Sequence, residues 1–153
     1  MAETTAFDEL VRAFSSSFDL DLPEPCNGAY FFCVDERSHL ILCQHHEDFI
    51  MMALTSGLRK VDLSADQALM LLKSNGNAFT QPHIIASITG QRVSHWTEIS
   101  TGGGAELMRE AFDLLLDANA RLERAQPSTE EGALDEIHVP LPKYGSDMVI
   151  IGS

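Results

Sequence analysis

One stretch of the chain concentrates the residue types that most often do chemistry: residues 43–48 read Cys-Gln-His-His-Glu-Asp. Thiolate, imidazole and carboxylate groups are common zinc ligands, and they are also common acids, bases and nucleophiles in enzymes. His45 and His46 are adjacent, however, so in an extended chain they point to opposite faces and cannot hold one ion together. No second cluster at ligand spacing completes a set. We therefore interpret the polar residues 44–48 as a solvated hairpin loop between two strands.

Sequence motifs for catalysis are also missing. The chain contains no Walker loop, no G-x-S-x-G elbow and no H-E-x-x-H. A glycine run at 102–104 precedes a helical pattern, but it lacks a following lysine and places Glu106 where a bound anion would sit. The remaining histidines, His39, His83 and His95, have no motif partner in the sequence. Cys33 and Cys43 lie in apolar strands, as core residues would. We predict that the protein is not an enzyme and uses no cofactor and no metal.

The charge balance limits the classes of partner. The chain has 153 residues with 23 acidic and 10 basic side chains, a net charge of −13. Such a surface repels nucleic acid and anionic membranes. No apolar run is long enough to span a bilayer, and the first ten residues lack the basic and apolar regions of a signal peptide. The three cysteines show no C-x-x-C spacing, which is typical of reduced thiols. We predict one soluble, acidic, cytoplasmic domain.

Hydrophobic periodicity predicts the order α-β-β-β-α-β-β-α. Spacings of three and four place five apolar side chains on one face of a first helix: Phe7, Leu10, Val11, Phe14 and Phe18. Two β-forming runs, at 29–34 and 40–42, flank a turn at 35–38, and a third begins at Phe49. Ser64 and Gln67 form the capping box of a second helix, and Gly90-Gln91 is typical of a hairpin turn. The longest helix covers about residues 105–125.

Four segments in this order resemble the class I chaperones of type III secretion, the Tir-chaperone-like family. They are "FDLDLPEPCNGAYFFCVDERSHLILC" at 18–43, "ALMLLKSNGNAF" at 68–79, "IIASITGQRVSHWTEI" at 84–99 and "ELMREAFDLLLDANARLERA" at 106–125. The resemblance implies an α+β fold, with a twisted antiparallel sheet and three helices, that forms a homodimer. It implies a chaperone-like domain over residues 1–126 and leaves 127–153 as an acidic tail.

The resemblance also implies two binding surfaces. An extended N-terminal segment of a secreted effector would fill grooves on the first helix and the first strands, near Phe7, Leu10, Phe14, Phe32, Leu40 and Leu42. The dimer interface would use the second helix and the second hairpin, at Ala68, Leu69, Leu72, Ile85 and Trp96. For Phe7 and Phe14 an ordinary core position explains the periodicity equally well, and the same alternative applies to Phe32, Leu40 and Leu42.

The function implied is that of a bacterial cytoplasmic chaperone that keeps an effector soluble and ready for export without ATP. The secretion ATPase or sorting apparatus is a further expected partner, whereas nucleic acid and membrane insertion are not expected. The tail has three open roles: contact with that apparatus, cover for a groove, or neither. Two other classes remain: a binding protein of the same fold that sequesters a regulator, and a metal-dependent enzyme in which His45, His46 or His95 would have to converge with a carboxylate.

Overall fold

The structure is a computed structural model that describes residues 3–76 and 82–125. Its helices are α1 (Ala6–Ser16), α2 (Ala65–Asn75) and α3 (Gly104–Arg124). Its strands are β1 (Ala29–Cys33), β2 (His39–His46), β3 (Phe49–Arg59), β4 (Ile85–Thr89) and β5 (Arg92–Ser100). The predicted element order and α+β class are confirmed. No helix in these ranges combines the length and the apolarity that a bilayer crossing requires. The predicted tail, residues 127–153, lies outside the described residues.

The five strands form one antiparallel sheet in the order β1-β2-β3-β5-β4. Side chains alternate between two faces, so each strand contributes to a helix-covered face and to an open face. The helix-covered face packs against α1 and α3 around one core that includes Val11, Leu42 and Leu115. On the open face, directly paired residues form an apolar row across all five strands: Phe31, Ile41, Ala53, Trp96 and Ile85.

A second, smaller core lies beneath α2. Leu71 of α2 packs with Ala86, Val93 and Leu122, and all four side chains are buried. The Gln67 side chain joins this helix to the end of α3, because its Nε2 donates a hydrogen bond to the Leu122 carbonyl at 3.1 Å. α2 therefore sits at the β4 side of the sheet, beside the C-terminal end of α3.

Local signals set the helix starts and one hairpin turn. Thr5 and Ser64 each accept a hydrogen bond from the backbone N–H three residues later, and both helices have complete capping boxes. The predicted cap at Ser64 is confirmed. Gly90 adopts a φ of 63°, the left-handed conformation that a two-residue hairpin turn needs at its first position.

Three sequence predictions were wrong. Phe18 is not on the first helix, because α1 ends at Ser16 and residues 17–19 form a turn. The loop predicted at 44–48 is shorter, because β2 continues through His46 with an irregularity between Gln44 and His46, and only residues 47–48 make the turn. Cys33 and Cys43 are not core residues: Cys33 is exposed and Cys43 is half-buried. Both point to the open face, which an apolar strand composition does not distinguish from the covered one.

Candidate functional site

In the histidine-rich stretch, the His46 side chain contacts residues close to it in sequence. His46 Nδ1 lies 3.8 Å from Asp48 Oδ2, and both side chains are mostly exposed. Within residues 3–76 and 82–125, no three histidine, cysteine or acidic residues are grouped so that they could hold a metal ion. Burial raises the pKa of the Cys43 thiol, the opposite of what a reactive thiolate requires.

An apolar groove lies between the end of α1, the end of β1 and the middle of α3. It has a cavity volume of about 240 Å³. Its walls are almost entirely aromatic and aliphatic: Phe14, Phe18, Leu20, Phe32, Cys33, Val34, Leu40, Phe112 and Leu116. Such a groove suits apolar side chains of a partner better than a polar substrate.

Four phenylalanines build the floor of this groove by edge-to-face packing. The ring of Phe14 lies 5.3 Å from Phe18, 6.1 Å from Phe32 and 5.9 Å from Phe112. The guanidinium of Arg109 sits over the Phe18 ring, 4.8 Å from its centroid. These contacts hold one wall of the groove in place without a ligand, so the cavity is preformed.

The chain after α1 is fastened so that it forms the rim of the groove. Ser15 Oγ donates hydrogen bonds to the carbonyls of Leu20, at 2.9 Å, and Asp21, at 3.1 Å. Asp19 takes a φ of 56°, which lets the chain turn back on the helix end. Leu20 is left 52% exposed at the groove, although it is a large apolar side chain.

The outer edge of β1, beside the groove, is open for strand pairing. Ala29 exchanges both of its outward backbone hydrogen bonds with Cys26, at 2.8 and 3.0 Å. Backbone groups alternate sides along an antiparallel strand, so Phe31 and Cys33 also present their N–H and C=O groups away from β2. Neither residue makes a backbone hydrogen bond outside its strand ladder in the described part of the chain. The edge therefore offers two donors and two acceptors next to the groove.

The opposite edge of the sheet is closed at its middle. The Asn75 side chain donates from Nδ2 to the Ala86 carbonyl at 3.0 Å, and Ala86 N–H donates to Asn75 Oδ1 at 2.7 Å. This amide pairs with β4 as a neighbouring strand would, so it blocks an incoming strand at that position. The two edges differ within the described residues: β4 is blocked at Ala86, whereas β1 has unpaired backbone at Phe31 and Cys33 beside the aromatic groove.

Comparison with known proteins gives structural relatives only. No family model and no curated protein sequence matches the chain. Among solved structures, the type III secretion chaperone SycH of Yersinia pestis, in complex with a fragment of YscM2, superposes with a TM-score of 0.62 at 14% identity, over 77% of this chain and 99% of that chain. The HopA1–SchA chaperone–effector complex gives a TM-score of 0.65 at 14% identity, over 78% and 94%. The ExsC–ExsE complex gives 0.66 at 14% identity, over 85% and 100%.

This chain has the class I type III secretion chaperone fold. The match covers nearly the whole length of each of those chains, with the same α+β arrangement of three helices and five strands. At this level of identity the likeness concerns the fold. The binding surface of this chain depends on its own side chains.

The six residues expected to contact an effector do not share one surface of this chaperone fold. Phe14, Phe32 and Leu40 line the groove, but Phe14 and Leu40 are only 2% and 1% exposed. Phe7 packs against Tyr30, and Leu42 is fully buried in the core. Leu10 is half-buried against the same core. The core alternative thus describes Phe7 and Leu42, which are 5% and 0% exposed and do not line the groove.

Sequence reasoning missed most of the groove. Neither Phe18 nor Phe112 is among the residues expected to bind an effector, and the other missed residues are Leu20, Cys33, Val34 and Leu116. The usable signal was the aromatic content of the two helices and of the turn between them and the sheet: Phe14 lies on α1, Phe18 just after its end and Phe112 on α3, and the three rings meet.

The expected dimer residues of this chaperone fold lie on two sides of the β4 edge. Leu72 projects from α2 and is 39% exposed, whereas Ala68 and Leu69 are half-buried on the same helix. Ile85 and Trp96 pair with each other across β4 and β5 on the open face. A partner that contacts all five residues must therefore extend around the β4 edge of the sheet.

His95, the remaining candidate for chemistry, is a buried structural residue. Its Nδ1 lies 2.8 Å from Asn119 Oδ1, and Asn119 Nδ2 donates to the Thr55 carbonyl at 3.3 Å. Because the amide nitrogen is used by Thr55, the Asn119 oxygen accepts from a protonated Nδ1. The Asn119 side chain thus connects β5, α3 and β3. Burial lowers the pKa of His95 below its ordinary value, although the hydrogen bond that His95 donates to Asn119 raises it.

We expect the free energy of unfolding to fall as the pH drops below about 6.5, by at most about 1.4 kcal/mol per pH unit. The His95 pKa is lower in the folded state, so protons bind the unfolded state more strongly once the pH falls below the unfolded value. Urea unfolding at several pH values measures this effect. His95→Gln should flatten the curve in that window, and an unchanged slope in this variant would exclude His95 as its source.

Proposed function

We propose that this protein is a bacterial cytoplasmic chaperone of type III secretion that binds the N-terminal segment of an effector. The observation that carries the proposal is the open β1 edge beside the aromatic groove. A bound segment would add a strand to β1 through the backbone of Phe31 and Cys33. Its alternate side chains would enter the groove at Phe18, Phe32 and Phe112.

Backbone pairing and apolar pockets together suit the expected client. Backbone hydrogen bonds accept many sequences, while the pockets select the side chains that alternate along the strand. A segment held in extended form stays unfolded and soluble without any catalytic step, so the proposed activity is binding alone. The solved HopA1–SchA complex, whose name describes a chaperone with its effector, supports this assignment by likeness of fold.

The proposal is tested by purifying the tagged full-length chain from its native host and identifying the bound protein. Limited proteolysis of the complex then maps the protected segment. Protection confined to a stretch near the partner's N-terminus supports the proposal. Recovery of a DNA-binding regulator would favour sequestration of a regulator, and recovery of the chain with a stoichiometric metal would overturn the binding function. Contact with the secretion ATPase or sorting apparatus stays a prediction that the same purification addresses.

We also propose a homodimer that uses Leu72. Leu72→Glu should give monomers or aggregates, because a dimer of this variant would have to bury an unpaired carboxylate at the interface. Light scattering after size exclusion measures the mass. Ser74→Glu is the matched control, since it adds the same charge to an exposed position of α2 and should leave the mass unchanged. A dimer of native mass from Leu72→Glu would remove this residue from the interface.

A further inference from the structure

The chain leaves α3 close to the end of the sheet at which the groove lies. Glu123, near the end of α3, lines a cavity of about 310 Å³ together with Arg37, Gly57 and Leu58. Arg37 belongs to the turn between β1 and β2. Its carbonyl also accepts a hydrogen bond from Arg92 Nη1 at 2.8 Å. The last turn of α3 and the β1–β2 turn are therefore neighbours.

The same β1–β2 turn adjoins the groove. Val34, immediately before the turn, and Leu40, just after it, both line the groove. The last turn of α3, the β1–β2 turn and the open backbone of Cys33 therefore lie at the same end of the sheet. The residues that follow α3 start near the proposed binding site for an effector.

Residues 148–151, Met-Val-Ile-Ile, have the composition that this site suits. β-Branched side chains favour an extended strand, and alternate positions of such a strand would place apolar side chains in the groove. Residues 126–147 connect this run to α3, and they can span on the order of 70 Å when extended. The width of the sheet from β1 to β4 is only about 20 Å. Chain length is therefore no barrier.

We propose that residues 148–151 of the chain itself pair with the open edge of β1 and fill the groove until an effector displaces them. A four-residue run binds weakly from solution, but a tether raises its effective concentration to the millimolar range. The inference rests on the proposed function, because it assigns the same site a second, internal occupant. It would make effector binding a competition with the chain's own tail, and it would cover apolar surface in the unloaded chaperone.

Hydrogen exchange of individual amides in the full-length protein tests this proposal. The amides of Phe31 and Cys33 should be protected in the wild-type chain. They should exchange at least about tenfold faster in the variant that carries Ile150→Asp and Ile151→Asp. The amides of Tyr30 and Phe32 face β2, so their exchange should not change and they report on the integrity of the sheet.

A matched control carries Ser146→Asp and Gly152→Asp, which add the same two charges outside the apolar run. It should keep the wild-type protection. Fast exchange of both edge amides in all three proteins would overturn the proposal. Slow exchange in all three proteins would overturn it as well, and its dependence on protein concentration would then identify a second copy of the chain as the occupant.

Failure of the tail proposal can be separated from failure of the proposed function. The partner segment mapped by proteolysis is added as a peptide to the variant with Ile150→Asp and Ile151→Asp. Restored protection of the Phe31 and Cys33 amides places the effector at the β1 edge, whether or not the tail binds there. If saturating peptide leaves both amides unprotected, the β1 edge is not the effector site and the proposed function falls there, whereas pairing of the tail is decided by the comparison of wild type with the variant.

Discussion

Phe14→Ala should lower the free energy of unfolding by about 3–5 kcal/mol. Phe14 is 2% exposed, and its ring is the hub of the aromatic cluster, in contact with Phe18, Phe32 and Phe112. Its removal leaves a cavity that three rings from separate elements cannot close, and it also breaks three edge-to-face contacts. Urea unfolding monitored by circular dichroism measures the loss.

Phe31→Ala is the matched control for this substitution. Phe31 belongs to the adjoining strand, but its ring is 48% exposed on the open face. We expect this variant to lose no more than about 1 kcal/mol, because little packed surface is removed and no enclosed cavity forms. Similar losses in the two variants would contradict the placement of Phe14 in the core.

Measuring partner binding and stability of Phe14→Ala together shows how Phe14 contributes to binding. A residue at the floor of the groove shapes the cavity through its neighbours, so its removal should weaken binding together with stability. If Phe14→Ala loses binding but keeps its stability, Phe14 contacts the partner directly, as expected from the sequence. The protein would then bind the partner in a conformation in which the Phe14 ring is not buried.

The ends of helices and one tight turn could be predicted from the sequence because they depend on neighbouring residues. Ser64 and Gln67 form a capping box over three positions, and Gly90 supplies a left-handed conformation within one. The apolar stripe of the first helix was likewise visible. What the stripe could not reveal is its use, since Phe7 and Phe14 would show the same spacing whether a core or a partner covered them.

The groove and the two sheet edges could not be predicted, because they arise from contacts between distant residues. The groove requires Phe18, in the turn after α1, to meet Phe112 of α3. The β4 edge is closed because Asn75 meets Ala86. At the β1 edge, the pairing of Ala29 with Cys26 shows which backbone groups face outward, and those of Phe31 and Cys33 follow by alternation. Each depends on the final packing, and a one-residue change of register would exchange the backbone groups that face the edge.

Cys33→Pro should reduce the affinity for the effector segment at least about tenfold while leaving the fold intact. The Cys33 N–H points away from β2, so proline removes a donor that the sheet itself does not use. An incoming strand loses one backbone hydrogen bond, worth about 0.5–1.5 kcal/mol, and also meets the proline ring at the pairing position. Fluorescence anisotropy with the labelled partner segment measures the affinity, and thermal unfolding measures the stability.

Two further variants separate the backbone from the side chain at this edge. Cys33→Ala keeps the N–H group and should bind almost as well as wild type, since the thiol is exposed on the open face. Phe32→Pro removes an N–H that bonds to β2 and should destabilise the protein instead. Wild-type affinity in Cys33→Pro would exclude strand addition at β1. If Cys33→Pro loses the partner and Phe32→Pro loses the fold, the alternation of backbone groups along β1 separates binding from stability within a single strand.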